Sequence, residues 1–445
     1  MSILFFLALL CMVAFGHPNQ ERNTFYVPGD YETIQEAIDA ANEWDTIVVR
    51  AGTYPENVVI TDSTSDRISL ISEDGPAQTI IDGGKNGCVL SVVNNHGLLL
   101  SGFTIRNGLA SEDQFGYYSG GGLYAWQSTL AVKNCLIKDN EAESRGGGMY
   151  VENSTPLIAG NVLSGNSAFG SNGFGGGINI EDCPEAVLHN NILDSNESTF
   201  RGGGIFFSTG VGVFTSNTIV RNTAGTEGGG ICNGPGMITV SNTIIWENSA
   251  PADPEIYDAG NLIITYCAVK DGWPGAGNIA DYPNFVDPDG GDFHLVRFSP
   301  CRNKGANAAP GLADTDFEGD LRIVDGRVDI GADEFDGHLY LVGDIVPGDP
   351  IEIKVVGEPG MRASLLMSAI FLDPPLETYF GNLYLQPPFL VEAFIGEIKP
   401  IGVIVLNVTV PASWSAGERY YLQALVGDWY ETGMELTNPV KLIVE

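Results

Sequence analysis

Basic residues are scarce: 21 Lys and Arg face 56 Asp and Glu in 445 residues, a formal net charge of −35. A field of that sign repels nucleic acid, anionic lipid and polyanionic glycans unless divalent cations intervene. Long apolar runs are also few. Ile3–Phe15 spans thirteen residues, too short to cross a bilayer. Ala14-Phe15-Gly16 before His17 offers an A-x-G cleavage site, so residues 1–16 are expected to be a secretory signal peptide, although no Lys or Arg precedes the apolar run. Leu10 before Cys11 is larger than lipid-attachment sites usually allow, which argues against lipidation. No later segment is long and apolar enough to span a membrane, so the mature chain is expected to be secreted or held at the cell surface. Cys88, Cys135, Cys183, Cys232, Cys267 and Cys301 contain no CxxC pair and read as small buried hydrophobes. The five histidines (His17, His96, His189, His294, His338) are scattered.

Glycine, by contrast, is abundant, with 57 residues, and much of it is periodic. Gly120-Gly121-Gly122-Leu123, Gly146-Gly147-Gly148-Met149, Gly175-Gly176-Gly177-Ile178, Gly202-Gly203-Gly204-Ile205 and Gly228-Gly229-Gly230-Ile231 repeat one pattern; their last glycines lie 26, 29, 27 and 26 residues apart. Asparagine pairs follow in phase: Asn134 and Asn140, Asn161 and Asn166, Asn191 and Asn196, Asn217 and Asn222, Asn242 and Asn248. A period in this range marks a unit that buries its apolar face only by stacking on its neighbours. Helical repeats are excluded, because each glycine inside a helix costs about 1 kcal/mol. The runs between markers, such as Thr129–Val132, Leu136–Ile137 and Ile244–Trp246, read as brief strands. The spacing therefore predicts an all-β fold, a single-stranded right-handed parallel β-helix. Leu123, Met149, Ile178, Ile205 and Ile231 are expected to stack as an inward column. The asparagines are expected both to adopt αL turns and to bond the next rung.

The GGG-apolar and N-x-I/L-x-x-N runs resemble polymorphic outer-membrane-protein repeats and other right-handed β-helix repeats. Ahead of them, Thr33 and Glu36 form a capping box, and Ile34, Ala37, Ile38 and Ala41 a helical stripe within Tyr31–Glu43. The stretch TIQEAIDAA…DTIVVRAGTYPENVVI resembles the start of pectate-lyase-like and pectin-esterase-like β-helices, which implies a capping helix. From Ile47 to Val269 there is room for about eight coils. The regular markers end at Asn248. DYPNFVDPDGGDFHLVRFSPCR (281–302) and GDLRIVDGRVDIGADEF (319–335) then resemble the closing segment of bacterial "choice-of-anchor Q" β-helix proteins. Phe317-Glu318 departs from that family's more usual Leu-Asp. The resemblance implies a surface-associated protein without an assigned reaction, and a structural pairing of Arg322 with Asp329. The expected organisation is a β-helix over 24–335, closing segment 281–335, and a small C-terminal β-sandwich domain over 339–445, where Pro347-Gly348, Pro374-Pro375 and Pro387-Pro388 punctuate strands.

Three sets of residues are candidates for chemistry. Asp314, Asp316, Glu318, Asp320 and Asp325 have oxygen ligands at the spacing of a calcium loop; solvated acidic turns give the same pattern. Calcium is the one cofactor the sequence suggests. Asp139, Asp194 and Glu247, read as one corner of successive rungs, with Arg145 and Arg201 before glycine runs, are candidates for polysaccharide cleavage, against solvated turn charges. Tyr124, Trp126, Tyr150 and Phe206 form a candidate glycan-stacking platform, against ordinary ladder stacks. Insertions at Ser111–Tyr118 and Ala168–Phe174 are expected on a binding face. Two classes stay open. The favoured one is an exported non-catalytic protein, structural, adhesive or glycan-binding, whose partner is a polysaccharide or another cell-surface component. The other is a polysaccharide lyase or glycoside hydrolase of the pectate-lyase-like fold.

Overall fold

The computed structural model describes residues 22–61, 66–110, 119–296, 299–323 and 326–335, then 339–342, 347, 350–356, 362–368, 371–378, 381–385, 391–397, 403–415, 419–427, 435–436 and 440–443. The expected signal peptide, the insertion Ser111–Tyr118 and Asp325 lie outside the described residues.

The chain coils as a right-handed parallel β-helix. One rung shows the plan: Leu123–Trp126 on face C, Thr129–Lys133 on face A, Leu136–Lys138 on face B, the short Glu141–Ala142, then Met149–Glu152 back on face C. Stacked rungs give ten strands on face A, nine on face B, eight on face C and four in the short column. Face A holds nine strands from Thr46–Val49 to Asn261–Thr265, where a uniform period suggested about eight coils. Early rungs are shorter, Thr46 pairing with Ser69 only 23 residues on. The coil also outlasts its markers, since Ile256–Asp258, Asn261–Thr265 and Ala268–Val269 complete a further rung without a glycine run. Leu123, Met149, Ile178, Ile205 and Ile231 pair in register and are fully buried, each such side chain stabilising by about 1.5–3 kcal/mol.

The glycine runs have two causes. The first glycine turns the corner with positive φ, 63° at Gly146. The second has no room for a side chain: a Cβ on Gly147 would lie 2.5 Å from the Ser167 backbone.

The asparagine turns divide their labour differently from the expectation. Asn134, Gly160, Asn190, Ser216, Asn242 and Tyr266 take positive φ, and the next residue makes the ladder: Cys135, Asn161, Asn191, Asn217, Thr243, Cys267. The second corner repeats this with Asp139, Gly165, Ser195, Arg221 and Glu247 before Asn140, Asn166, Asn196, Asn222 and Asn248. Asn134 and Asn242 thus stand one place ahead of the ladder. Asn196 is fully buried and fully satisfied. Its Nδ2 donates to Leu163 O (3.0 Å) and Asn222 Oδ1 (2.9 Å), while its Oδ1 accepts from the Asn166 N–H (3.1 Å) and Nδ2 (2.9 Å). The column ends on Glu255, whose Oε2 accepts from Asn248 Nδ2 at 2.7 Å.

At the start, Ile34–Ala40 forms a helix with the Thr33–Glu36 capping box, and buries Ile34, Ala37 and Ile38. It is shorter than Tyr31–Glu43 because Ala41 turns extended. The closing segment folds along the outside of face B. Outward Ile192, Val220, Ile244, Trp246 and Ala268 meet Phe285, Phe293, Leu295, Val296, Ile330 and Phe335 in a second core. Buried Arg322 donates to the carbonyls of Gly331 and Ala332, whereas the Asp329 carboxylate accepts from the backbone N–H of Asn303 and Phe335. The link between the two is therefore the field of Asp329 on Arg322 rather than a direct bond. The six cysteines among the described residues are free and, Cys88 apart, buried. Beyond 338 the strands pair antiparallel, Leu339–Val342, Pro350–Val356 and Val403–Thr409 in one sheet and Val391–Glu397, Arg362–Ser368 and Arg419–Gly427 in another.

Two outcomes follow from the ladder. Asn196→Ala strands the Leu163 carbonyl and the Asn166 N–H in a dry interior and should cost at least about 2 kcal/mol in urea unfolding; Asn134→Gly, at an αL position, should stay within about 0.5 kcal/mol. Burial raises the Glu255 carboxyl from 4.5 to about 7, against the opposing Asn248 donors. The native state thus holds this proton more tightly than the unfolded chain, so the stability it contributes is complete below about 4.5 and is lost as pH rises through about 7. Urea midpoints across that window should fall less steeply with pH in Glu255→Gln than in the parent.

Candidate binding face

Face C strands alternate in, out, in, out, which creates two outward columns. The first runs Ser91, Tyr124, Tyr150, Asn179, Phe206, Cys232, Tyr257. The second runs Val93, Trp126, Glu152, Glu181. Beside them a corner column brings Ser119, Arg145, Phe174, Arg201 and Glu227 together by single bridges.

The first column is closed over at its two tyrosines, while Phe206 and Tyr257 stay half-buried. Tyr124 and Tyr150 are 6% and 3% exposed, with rings stacked at 5.7 Å and 28°. They form a ladder stack inside the wall rather than an open platform. Asn179 separates them from Phe206, which packs on Phe174 at 4.7 Å. Phe174 belongs to the Ala168–Phe174 insertion, so that insertion does gather on this face. Trp126 is half-buried in the second column, in register with Glu152 on the neighbouring strand.

Those carboxylates, Glu152 and Glu181, are in register on neighbouring strands, which lie about 4.8 Å apart. The Tyr150 hydroxyl is 2.9 Å from Glu152 Oε2 and 3.2 Å from Glu181 Oε2, and Arg145 Nη1 is 2.5 Å from Glu181 Oε2. Burial raises the Glu152 carboxyl, with the Glu181 charge adding to it, while the Tyr150 hydrogen bond and Arg145 oppose. Burial, then the two glutamates, also push the Tyr150 phenol up. Neither glutamate sits at a turn or in a motif, so the sequence does not single them out. Their signal was the shared fourth place after the glycine run.

The other candidates are dispersed. Asp139 and Glu247 stand at the corner itself, in the column Asp139, Gly165, Ser195, Arg221, Glu247, whereas Asp194 lies one place ahead on the strand, in register with Ser164 and Val220, so the three are on alternate rungs and not in one column. Two strand spacings, about 9.6 Å, therefore separate each from the next, because the sequence interval skipped a rung. Asp194 is further held by Arg221 through bonds of 2.8 and 2.7 Å. In the calcium-like loop, Asp316 Oδ1 accepts from the N–H of Glu318, Gly319 and Asp320 at 2.9–3.0 Å, and Oδ2 accepts from Glu334 N–H. These four amides draw both carboxylate oxygens inward. Glu318 turns away from that loop, its Oε2 lying 2.9 Å from His294 Nε2.

The model of the right-handed beta helix region matches residues 56–245. Among solved structures, the pectin methylesterase from Aspergillus niger, in penultimately deglycosylated form, is similar at 15% identity, covering 59% of this chain and 84% of its own, with a TM-score of 0.27. No curated protein matches the sequence. The class that sequence and fold define is a right-handed β-helix protein.

Tyr150→Phe removes the hydroxyl bridging two half-buried carboxylates and should destabilise by about 1–3 kcal/mol in urea unfolding. Tyr124→Phe, which keeps the stacked ring pair, should cost less.

Proposed function

We propose that this chain is an exported, cell-surface β-helix protein that binds a polysaccharide on face C without cleaving it. The observation that carries the reading is the column Trp126, Glu152, Glu181 with Arg145 beside it. An indole offers a face on which a sugar ring stacks, and a guanidinium and carboxylates one and two strands away offer bonds to its hydroxyls. A chain of net charge −35 favours a neutral or cationic glycan. Binding is preferred to cleavage because the fixed Tyr150 hydroxyl occupies the space between the carboxylates, where a glycosidic oxygen would have to enter.

One observation favours the hydrolase reading. Glu152 is raised by burial while its partner Glu181 is paired to Arg145, and retaining glycosidases pair such an acid with a carboxylate nucleophile about 5–5.5 Å away. A glycan array read for both retention and release of reducing ends separates the two. Retention without release, lost in Trp126→Ala and weakened at least about tenfold in Glu152→Gln, is the expected result. Release of reducing ends that Glu152→Gln abolishes would replace binding with hydrolysis, and no retention of any glycan would overturn both.

A further inference from the structure

The closing segment brings together three metal-ligating side chains that lie far apart in sequence. His294 comes from the strand Asp292–Leu295, Glu318 from the turn after Asp316, and Asp333 from the stretch that follows Ile330. One ligand atom from each lies within 4.8 Å of the others. We propose that His294, Glu318 and Asp333 form a binding site for a divalent transition metal of zinc type, which clips the closing segment together.

The geometry has the parts such a site needs. His294 Nε2 and Glu318 Oε2 are 2.9 Å apart, so the exposed Glu318 would move out by about 0.5 Å to reach the ligand spacing of a tetrahedral ion with bonds of about 2.0–2.2 Å. The other ring nitrogen, Nδ1, is 2.5 Å from Asp292 Oδ1. A carboxylate in that place fixes the tautomer and aims Nε2 at the ion, as it does behind metal-bound imidazoles generally. Asp333 is 2% exposed and is anchored by the Leu295 N–H on Oδ2 at 2.7 Å. Phe317 lies against the imidazole at 5.3 Å between centroids, an apolar wall. Glu318, with its side chain one-third exposed, leaves a path from solvent and a coordination place for water.

The donor set selects among cations. One imidazole and two carboxylates suit zinc or manganese, whereas calcium takes about six to eight oxygens. The site shares Glu318 with the calcium-like loop but not Asp316, whose oxygens face backbone amides. His294 and Glu318 precede Arg322 in the chain and Asp333 follows it, so an ion there would hold the strand Asp292–Leu295, the turn at Glu318 and the stretch after Ile330 to one another.

The test is calorimetric titration of the full chain, stripped with EDTA, with zinc chloride alone, followed by thermal unfolding. One zinc per chain and a raised Tm are expected. Asp292→Asn, which leaves all three ligands in place, should weaken zinc by about 10–100-fold. Glu318→Gln, at the exposed rim and so compatible with folding, should weaken it at least as much, and Asp139→Asn should not change it. Cobalt should give a visible absorption band that His294→Ala abolishes. No stoichiometric zinc, or zinc binding indifferent to both Asp292→Asn and Glu318→Gln, would overturn the proposal. So would calcium displacing zinc at equal concentration.

Discussion

The structure depends on one constraint: every rung must satisfy its polar groups on the rungs above and below, because the interior of the coil is dry. Strands meet this through the parallel ladder, but turns have no regular partner. The asparagine columns supply it. Each amide in the run Asn166, Asn196, Asn222 bonds the carbonyl of the strand one rung before and the amide of the rung after. An αL residue immediately ahead sets the angle that lets the next side chain point inward. The triple glycines meet the same demand at the third corner by removing side chains, so that backbone lies on backbone.

This explains which parts of the molecule were legible from the residues alone. The period, the inward column from Leu123 to Ile231 and the helix at Ile34–Ala40 each express a local rule, whether close packing, alternation or capping. What was misplaced depended on which of two adjacent turn residues carried which role. Asn134 and Asn242 look like ladder members, yet Cys135 and Thr243 occupy those places. An asparagine serves equally as the αL residue and as the ladder amide, so composition alone does not separate the two. Glu255 ending a column of amides is similar, since a carboxyl that stays protonated can occupy an amide's place.

The candidate face was half legible. Outward alternation after the glycine run was correct, but burial on a solenoid's outside is set by what crosses it. Arg145 and the glutamates roof over Tyr150, and Phe174 covers Phe206. The tyrosine rings that looked most available are therefore inside the wall, and the next column sets Trp126 beside Glu152, with Glu181 one strand further. The position of residues 281–335 along face B was not legible from their motifs. The outward apolar residues Ile192, Val220, Ile244 and Trp246 were the signal for it, because a free outer face would carry polar residues there.

Native-state hydrogen exchange at the turn amides tests the central claim most directly. Turn amides ordinarily exchange through local opening at little cost. If the amide columns hold the rungs together, the backbone N–H groups of Asn166, Asn196 and Asn222 should exchange as slowly as the core strand amides of Ile178 and Ile205, with the free energy of global unfolding. Exchange at those turns markedly faster than in the strands would show that the rungs are held by strand pairing alone, and would contradict the account.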